Sequence, residues 1–253
     1  MEFVKMHGLG NDFVVVPGPF EPTSDQVAAW CDRRRGVGAD GVLVVSPVDD
    51  GLVAMGYWNA DGSPAEMCGN GLRCVARYAV DSGLVSGPDF VVRTPVGERP
   101  VSVRPDGTVR ALLGQTGPAE AGPMDVAGYH LEPIRVGNPH AVAFVPDCYS
   151  TPVDAVGPIV EGDPHFPERT NVEFATVVSS NRIALRVWER GVGETLACGT
   201  GAAASVAMAH RKGLTGPRVT VELPGGPLVV EVAEDGVWIE GPAETVFRGT
   251  LDA

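Results

Sequence analysis

The chain of 253 residues contains no apolar run near the ~20 residues that a membrane-spanning helix needs. It has no basic excess either: 19 Lys and Arg stand against 32 Asp and Glu, for a formal net charge of −13. That balance argues against the basic face that grips nucleic acid or anionic lipid, so no nucleic acid and no membrane is expected as partner. A small molecule is the expected partner. The five cysteines are odd in number and include no C-x-x-C pair, which argues against a disulfide framework, a Cys-rich zinc site and any metal. Lys5 and Lys212 are the only lysines, one near the N-terminus and one at a helix end. Neither suits a pyridoxal Schiff base, and no cofactor is expected. The start, MEFVKMHGLG, carries Glu2 and Lys5 where an export signal would be apolar, so a cytoplasmic protein is expected.

A hydrophobic content of 44% is enough for a real core, and 33 glycines with 22 prolines point to many turns. Sliding the chain on itself by 198 − 68 = 130 residues exposes a duplication. Cys68 falls on Cys198, Trp58 on Trp188, Gly69 on Gly199, Gly71 on Gly201 and Gly83-Leu84 on Gly213-Leu214. Each half reads as apolar strand, Trp, polar loop, C-G-x-G, helix, Gly, then a strand interrupted by a turn. After Cys68, Leu72, Val75, Ala76, Ala79 and Val80 recur at helical spacing. After Cys198, GAAASVAMA is apolar on every side, which predicts a helix buried all round. Short β-rich runs surround both, at 13–16, 42–45, 90–93, 141–145 and 228–232. The expected fold is α+β: two pseudo-symmetric lobes, each a curved, mostly antiparallel sheet or barrel wrapped around a central helix. The first lobe is expected over residues 1–115, with the tail 244–253 packing back on it, and the second over 116–243. The stretch 114–125, rich in Gly and Pro, is the expected boundary.

Cys68 and Cys198 each precede a Gly-x-Gly that opens a helix. A helix N-terminus offers unpaired N–H groups and a positive field, which favours a thiolate and cradles a carboxylate. Two such thiols in a duplicated chain suit removal of a proton from one face of a carbon and its return on the other. They titrate as a coupled pair, which favours the mixed thiol/thiolate state that such chemistry needs. The G-L-G-N at 8–11 lacks the third glycine and following helix of a dinucleotide loop. Cys31, Cys74 and Cys148 read as small buried hydrophobes, and His7, His130, His165 and His210 as surface or packing residues.

The strings FVKMHGLGNDF (3–13), NADGSPAEMCGNGLRC (59–74), GNPHAV (137–142), RTNVEF (169–174) and VWERGVGETLACGTGAAA (187–204) resemble the diaminopimelate epimerase family. The resemblance implies a cofactor-independent isomerase that interconverts LL- and meso-diaminopimelate in lysine and peptidoglycan-precursor synthesis. It implies Cys68 and Cys198 as the acid/base pair, with His140 and Glu189 assisting proton transfer. It implies that backbone N–H groups of Gly69, Asn70, Gly199 and Thr200 hold the carboxylate at the reacting end, and Asn59 and Glu189 the amino group beside it. Asn11, Asn138, Asn171 and Arg190 are implied to bind the distant amino-acid end, and a homodimer is implied. One departure is Gly41, where the family pattern carries Gln, so one side-chain contact is expected to be absent. Two other readings stay open: a proline or hydroxyproline type of racemase on the same scaffold, and a non-catalytic ligand-binding or redox-sensing protein.

Overall fold

The computed structural model describes residues 1–251 and divides into two compact units. The first comprises Met1–Ala111 and the returning segment from Gly241; the second is Leu112–Glu240. The first runs β1 (Glu2–Gly8), β2 (Asn11–Pro17), α1 (Ser24–Cys31), β3 (Gly41–Asp49), β4 (Leu52–Asn59), α2 (Gly69–Asp81), β5 (Asp89–Thr94), β6 (Gly97–Val103) and β7 (Thr108–Gly114). The division falls inside β7, just before the Gly- and Pro-rich stretch. The second unit follows with β8 (Gly117–Pro118), β9 (Met124–Val126), β10 (Tyr129–Val136), β11 (Asn138–Phe144), α3 (Val153–Glu161), β12 (Asn171–Ser179), β13 (Arg182–Glu189), β14 (Gly193–Thr195), α4 (Gly199–Arg211), β15 (Arg218–Leu223), β16 (Gly226–Ala233) and β17 (Gly236–Pro242). The chain then closes with β18 (Glu244–Thr250), which pairs antiparallel with β1 in the first unit.

The duplication is a duplication of strand pairing. In the first unit β1–β2 is antiparallel, β2–β3 parallel, β3–β4 antiparallel, β4–β5 parallel and β5–β6 antiparallel. In the second, β10–β11, β11–β12, β12–β13, β13–β15 and β15–β16 repeat that series in the same order. Register is kept as well: Val42 faces Trp58, and Val172 faces Trp188. Phe13 pairs with Gly41 where His140 pairs with Asn171, and Leu43 pairs with Tyr57 where Glu173 pairs with Val187. These registers define which residues of the two units are equivalent. A one-residue slip would turn every side chain to the opposite face, so the agreement is strongly constrained.

Each unit wraps its strands around one helix. α2 packs against every strand from β1 to β6, and α4 against β10, β11, β12, β13 and β16. α4 is built almost entirely of small residues and is buried from Gly199 to Ala209, as its uniform apolarity predicts. α2 is buried more completely than its single apolar stripe predicts, because strands surround it: Arg73, Cys74 and Tyr78 lie inside along with the stripe. Both helices stop the same way. Gly83 and Gly213 take φ of +67° and +71°, and the N–H groups of Leu84 and Leu214 reach back to Ala79 and Ala209. That is the Schellman arrangement, and only glycine adopts its left-handed position without strain. The G-L-G-N segment is the hairpin turn between β1 and β2, closed by Gly8 opposite Asn11.

Candidate active site

In the first unit, Cys68 is the N-cap of α2, with extended backbone at φ −136° and ψ 125°. Its Sγ lies 3.4 Å from Oδ1 of Asn11, the first residue of β2. The same oxygen accepts from Asn70 Nδ2 at 3.2 Å. Arg73, one turn into α2 and without exposed surface, donates from Nη2 to Asn70 Oδ1 at 2.9 Å. Asn11 Nδ2 donates to Asp40 Oδ2 at 2.8 Å. Guanidinium only donates and carboxylate only accepts, so both amides are locked in orientation. Behind Asp40, Arg33 bridges Asp40 and Asp12, and Lys5 pairs with Asp12. Burial works against the Asp12 charge, yet hydrogen bonds from Arg33 and Lys5 hold it well below the usual carboxylate range. Asn59 ends β4 in its own exposed turn, where its Nδ2 donates to Ser63 Oγ at 3.0 Å.

Gly41 leaves no room for the side chain that the family pattern carries there. A Cβ at this position would lie 2.5 Å from the Trp58 carbonyl oxygen and 2.8 Å from the Tyr57 ring. In this chain the glycine lets β3 pack closely on β4.

In the second unit, Cys198 caps α4 and is 5% exposed. Its Sγ accepts from the Gly201 N–H at 3.3 Å and lies 3.5 Å from Thr200 Oγ1. Burial pushes the Cys198 thiol well up, and the Glu189 and Glu173 carboxylates add to the effect. Glu189, the last residue of β13, accepts from Thr195 Oγ1 at 2.5 Å. Burial also pushes its carboxyl up, against hydrogen bonds from Thr195 and Cys198 and the nearby His140.

His140 lies on β11 with a fully buried side chain. Its Nδ1 is 2.7 Å from Glu173 Oε1 and its Nε2 is 2.8 Å from Asn138 Oδ1. A ring donating from both nitrogens satisfies both acceptors; a neutral ring satisfies one and needs the Asn138 amide turned round. Glu173 Oε2 is buried with no hydrogen-bond partner. Gly201 lets this carboxylate approach the cysteine helix, since a Cβ there would lie 2.8 Å from Glu173 Oε1 and 3.3 Å from Cys198 Sγ. Asn171 acts as a buried clip: its Nδ2 donates to the Pro139 carbonyl at 2.9 Å, and its Oδ1 accepts from the Arg190 N–H at 3.0 Å. The exposed Arg190 side chain donates to the Glu168 carbonyl.

The first unit thus gathers Asn11, Cys68, Gly69 and Asn70 and leaves Asn59 in its own turn. The second gathers Asn138 with His140, Asn171 with Arg190, and Glu189 with Cys198, Gly199 and Thr200. The other three cysteines are buried thiols, and burial pushes Cys31 up to about 11 and Cys74 up to about 12. Among the described residues no group of three or more His, Cys, Asp or Glu is placed to hold a metal ion.

The family model described as diaminopimelate epimerase matches residues 3–121 and 133–246. The chain belongs to the diaminopimelate epimerase family. It is 44% identical to a diaminopimelate epimerase of Alkalilimnicola ehrlichii, covering 99% of this chain and 98% of that one. It is 42% identical to one of Pelotomaculum thermopropionicum, covering 98% of each. Among solved structures, a phenazine biosynthesis protein of the PhzF family from Bacillus anthracis superposes with a TM-score of 0.77 at 14% identity, over 100% of this chain and 99% of that one. A hydroxyproline epimerase from Agrobacterium vitis does so with 0.73 at 17%, over 98% and 91%. At those identities the likeness is one of fold, and it is that of an α+β, two-lobed epimerase.

Within this epimerase-family chain, two buried ionic residues escape a reading of the sequence. Glu173 sits in RTNVEF between apolar neighbours, and Arg73 in GNGLRC on a helix face that reads as polar. The self-comparison carried a usable signal, because Glu173 falls on Leu43 beside the matched Val172 and Val42, and Arg73 falls on Ala203 two residues after the matched Gly71 and Gly201.

Proposed function

We propose that this chain interconverts LL- and meso-diaminopimelate by cofactor-independent proton transfer, with Cys68 and Cys198 as the two bases. The observation that carries the reading is the repeated helix-cap cysteine: one in each of two units with the same strand pairing, in a chain of the diaminopimelate epimerase family. Inversion requires one sulfur on each face of the reacting carbon. One sulfur takes the α-proton as the Cα–H bond breaks; the other gives its S–H proton to the opposite face. The α-proton of an amino acid is weakly acidic, so the developing charge must spread onto the carboxylate. Backbone N–H groups of Gly69, Asn70, Gly199 and Thr200, at two helix N-termini, suit that carboxylate.

The remaining roles follow from side-chain chemistry. Glu189 and Asn59, at equivalent strand ends, accept from the substrate ammonium. Asn11, Asn138, Asn171 and Arg190 recognise the second amino-acid end, and Arg190 is suited to a bidentate grip on its carboxylate. His140, bonded to Glu173 and Asn138 and acting electrostatically on Glu189, assists the proton transfers together with Glu189. The enzyme works in the cytoplasm as a homodimer; no helix of the described residues is long and apolar enough to cross a membrane. A proline-type racemase is disfavoured, because relatives more than 40% identical are named diaminopimelate epimerases while the hydroxyproline epimerase shares 17%.

The deciding experiment is α-proton exchange in deuterated water, with diaminopimelate isomers beside proline and hydroxyproline. Deuterium should enter both LL- and meso-diaminopimelate, with interconversion, and not the imino acids. Exchange on proline alone overturns the assignment.

A further inference from the structure

The two cysteine caps have different ionisable neighbours: a buried guanidinium in the first unit and buried carboxyl groups in the second. Arg73, with no exposed surface, is linked to Cys68 through Asn70 and Asn11: it donates to Asn70 Oδ1, and Asn70 Nδ2 and the Cys68 sulfur meet at Asn11 Oδ1. Its acceptors are all uncharged: Asn70 Oδ1 at 2.9 Å, the Pro242 carbonyl at 3.2 Å and the Gly69 carbonyl at 3.4 Å. No carboxylate lies within ion-pair distance of it among the described residues. A buried cation without a counter-charge is costly, and such a group persists where an anion completes it. Burial works against its charge, and the ionisable groups that favour it are Cys74 on α2 and Cys68 at the N-cap of α2. Cys74 is sealed in the core, and burial pushes its thiol up to about 12. Cys68 is half-buried at the helix N-cap, where the N-terminal turn also favours an anion.

The second unit reverses this arrangement. Ala203 stands in the position of Arg73, and two carboxylates, Glu173 and Glu189, act on Cys198 together with burial. His140 is paired with Glu173 and leaves one carboxylate oxygen unsatisfied. We propose that Arg73 is a positioning residue and the built-in counter-cation of Cys68, so that the resting enzyme carries its thiolate on Cys68 and its thiol on Cys198.

The Asn11 contact opposes this. Asn11 Oδ1, 3.4 Å from the sulfur, accepts an S–H and so favours the thiol. Thiols are weak donors, whereas a full charge in a buried setting acts over several ångströms with little screening. The charge therefore outweighs the hydrogen bond. Charged groups near this cluster include Asp40, which binds Asn11, the Asp12–Arg33–Lys5 set beyond it, and the His7–Glu244 pair beside Gly8 and Pro242, which both lie against Arg73. Each acidic member has a basic partner within the set: Lys5 and Arg33 for Asp12, Arg33 for Asp40 and His7 for Glu244.

The inference rests on the two-cysteine reading for its catalytic meaning, but its test does not. The full-length protein is alkylated with iodoacetamide across a pH series, and modification at each cysteine is followed by peptide mass spectrometry. The pH midpoint of the rate, rather than its absolute size, removes the difference in access between the two sulfurs. The Cys68 midpoint should lie more than about one unit below that of Cys198. Arg73→Met should raise the Cys68 midpoint by about one unit, a roughly tenfold slower reaction at neutral pH, and leave Cys198 unmoved. Arg73→Lys should retain most of the effect. A Cys198 midpoint below that of Cys68 in the wild-type chain overturns the proposal, whether or not the Met variant folds. So does an unmoved Cys68 midpoint in a folded Arg73→Met protein. Retention of epimerisation by Cys68→Ala would instead remove the function assigned above and leave this alkylation result standing by itself.

Discussion

Gly69–Asp81 and Gly199–Arg211 are one helix used twice, with a cysteine cap, a glycine at the third helical position and the same glycine stop. What surrounds them has diverged. Phe13 and Leu43, both fully buried, pack beneath the first helix. At the equivalent register positions the second unit buries His140 and Glu173 as a hydrogen-bonded pair. Arg73 in the first helix answers to Ala203 in the second, and Asn59 answers to Glu189. Duplication thus preserved what places a sulfur, namely strand register and helix ends. It released what sets the charge around that sulfur. Backbone geometry is shared by many contacts and hard to change piecemeal, whereas a buried side chain and its partner can be exchanged together.

If the two units supply equivalent bases, neither is dispensable. Cys68→Ser and Cys198→Ser should each lower kcat by about a thousandfold or more, with KM changed only severalfold, because an alcohol is a far poorer base at neutral pH. Steady-state rates of diaminopimelate interconversion check this. A serine variant with near-normal turnover would break the equivalence on which the comparison stands.

The next effect concerns the exchanged pair. Glu173→Leu alone leaves His140 buried without its partner and should cost about 3–5 kcal/mol in urea denaturation. Glu173→Leu with His140→Phe copies the first unit's own Leu43 and Phe13. It should recover most of that stability while epimerisation stays low. A double variant no more stable than the single one would mean that the two helix beds differ in shape as well as in charge.

The fold was legible because its signals are backbone signals. Helical spacing after both cysteines, Gly83 and Gly213 as stops, and short β-rich runs all correspond to observed elements. The cysteines were legible for the same reason, as residues placed by a repeated motif. Glu173 and Arg73 were not, since a lone charge among apolar or helical neighbours reads as a solvated face. Their burial is a property of what packs over them: α2 is enclosed by six strands, and Glu173 is covered by His140 and by a helix that approaches at Gly201. The close packing at Gly41 was not legible, because the nearness of the Trp58 carbonyl exists only in three dimensions.

The glycines at the third helical position sharpen the contrast further. Gly71→Ala would bring a methyl 3.2 Å from Leu43 Cδ2, a tight contact with the end of a side chain. Gly201→Ala would bring it 2.8 Å from Glu173 Oε1, an atom pinned by His140. Both should destabilise, by about 1–3 kcal/mol, with Gly201→Ala the more costly and the only one to disturb the Glu173–His140 pair. Equal losses in chemical denaturation would show that the charged bed yields as readily as the apolar one.

The smallest effect is a pH dependence. Burial pushes the Glu189 carboxyl above its usual 4.5. A carboxyl whose folded pKa exceeds its unfolded one holds its proton more tightly when folded. Its contribution to stability is therefore complete below about 4.5 and is lost as pH rises through the raised value. Glu189→Gln keeps the shape and removes the titration. Denaturation midpoints of the two proteins should run parallel in acid, and the wild type should then fall away relative to the variant as pH rises from about 4.5. Asn59, the equivalent position in the first unit, has no such proton to lose, so Asn59→Leu should shift stability by the same amount at every pH. A constant gap between wild type and Glu189→Gln across the range would mean that this strand end carries its charge as easily as its neutral counterpart does, and the contrast in charge between the units would then rest on Arg73 and Glu173 alone.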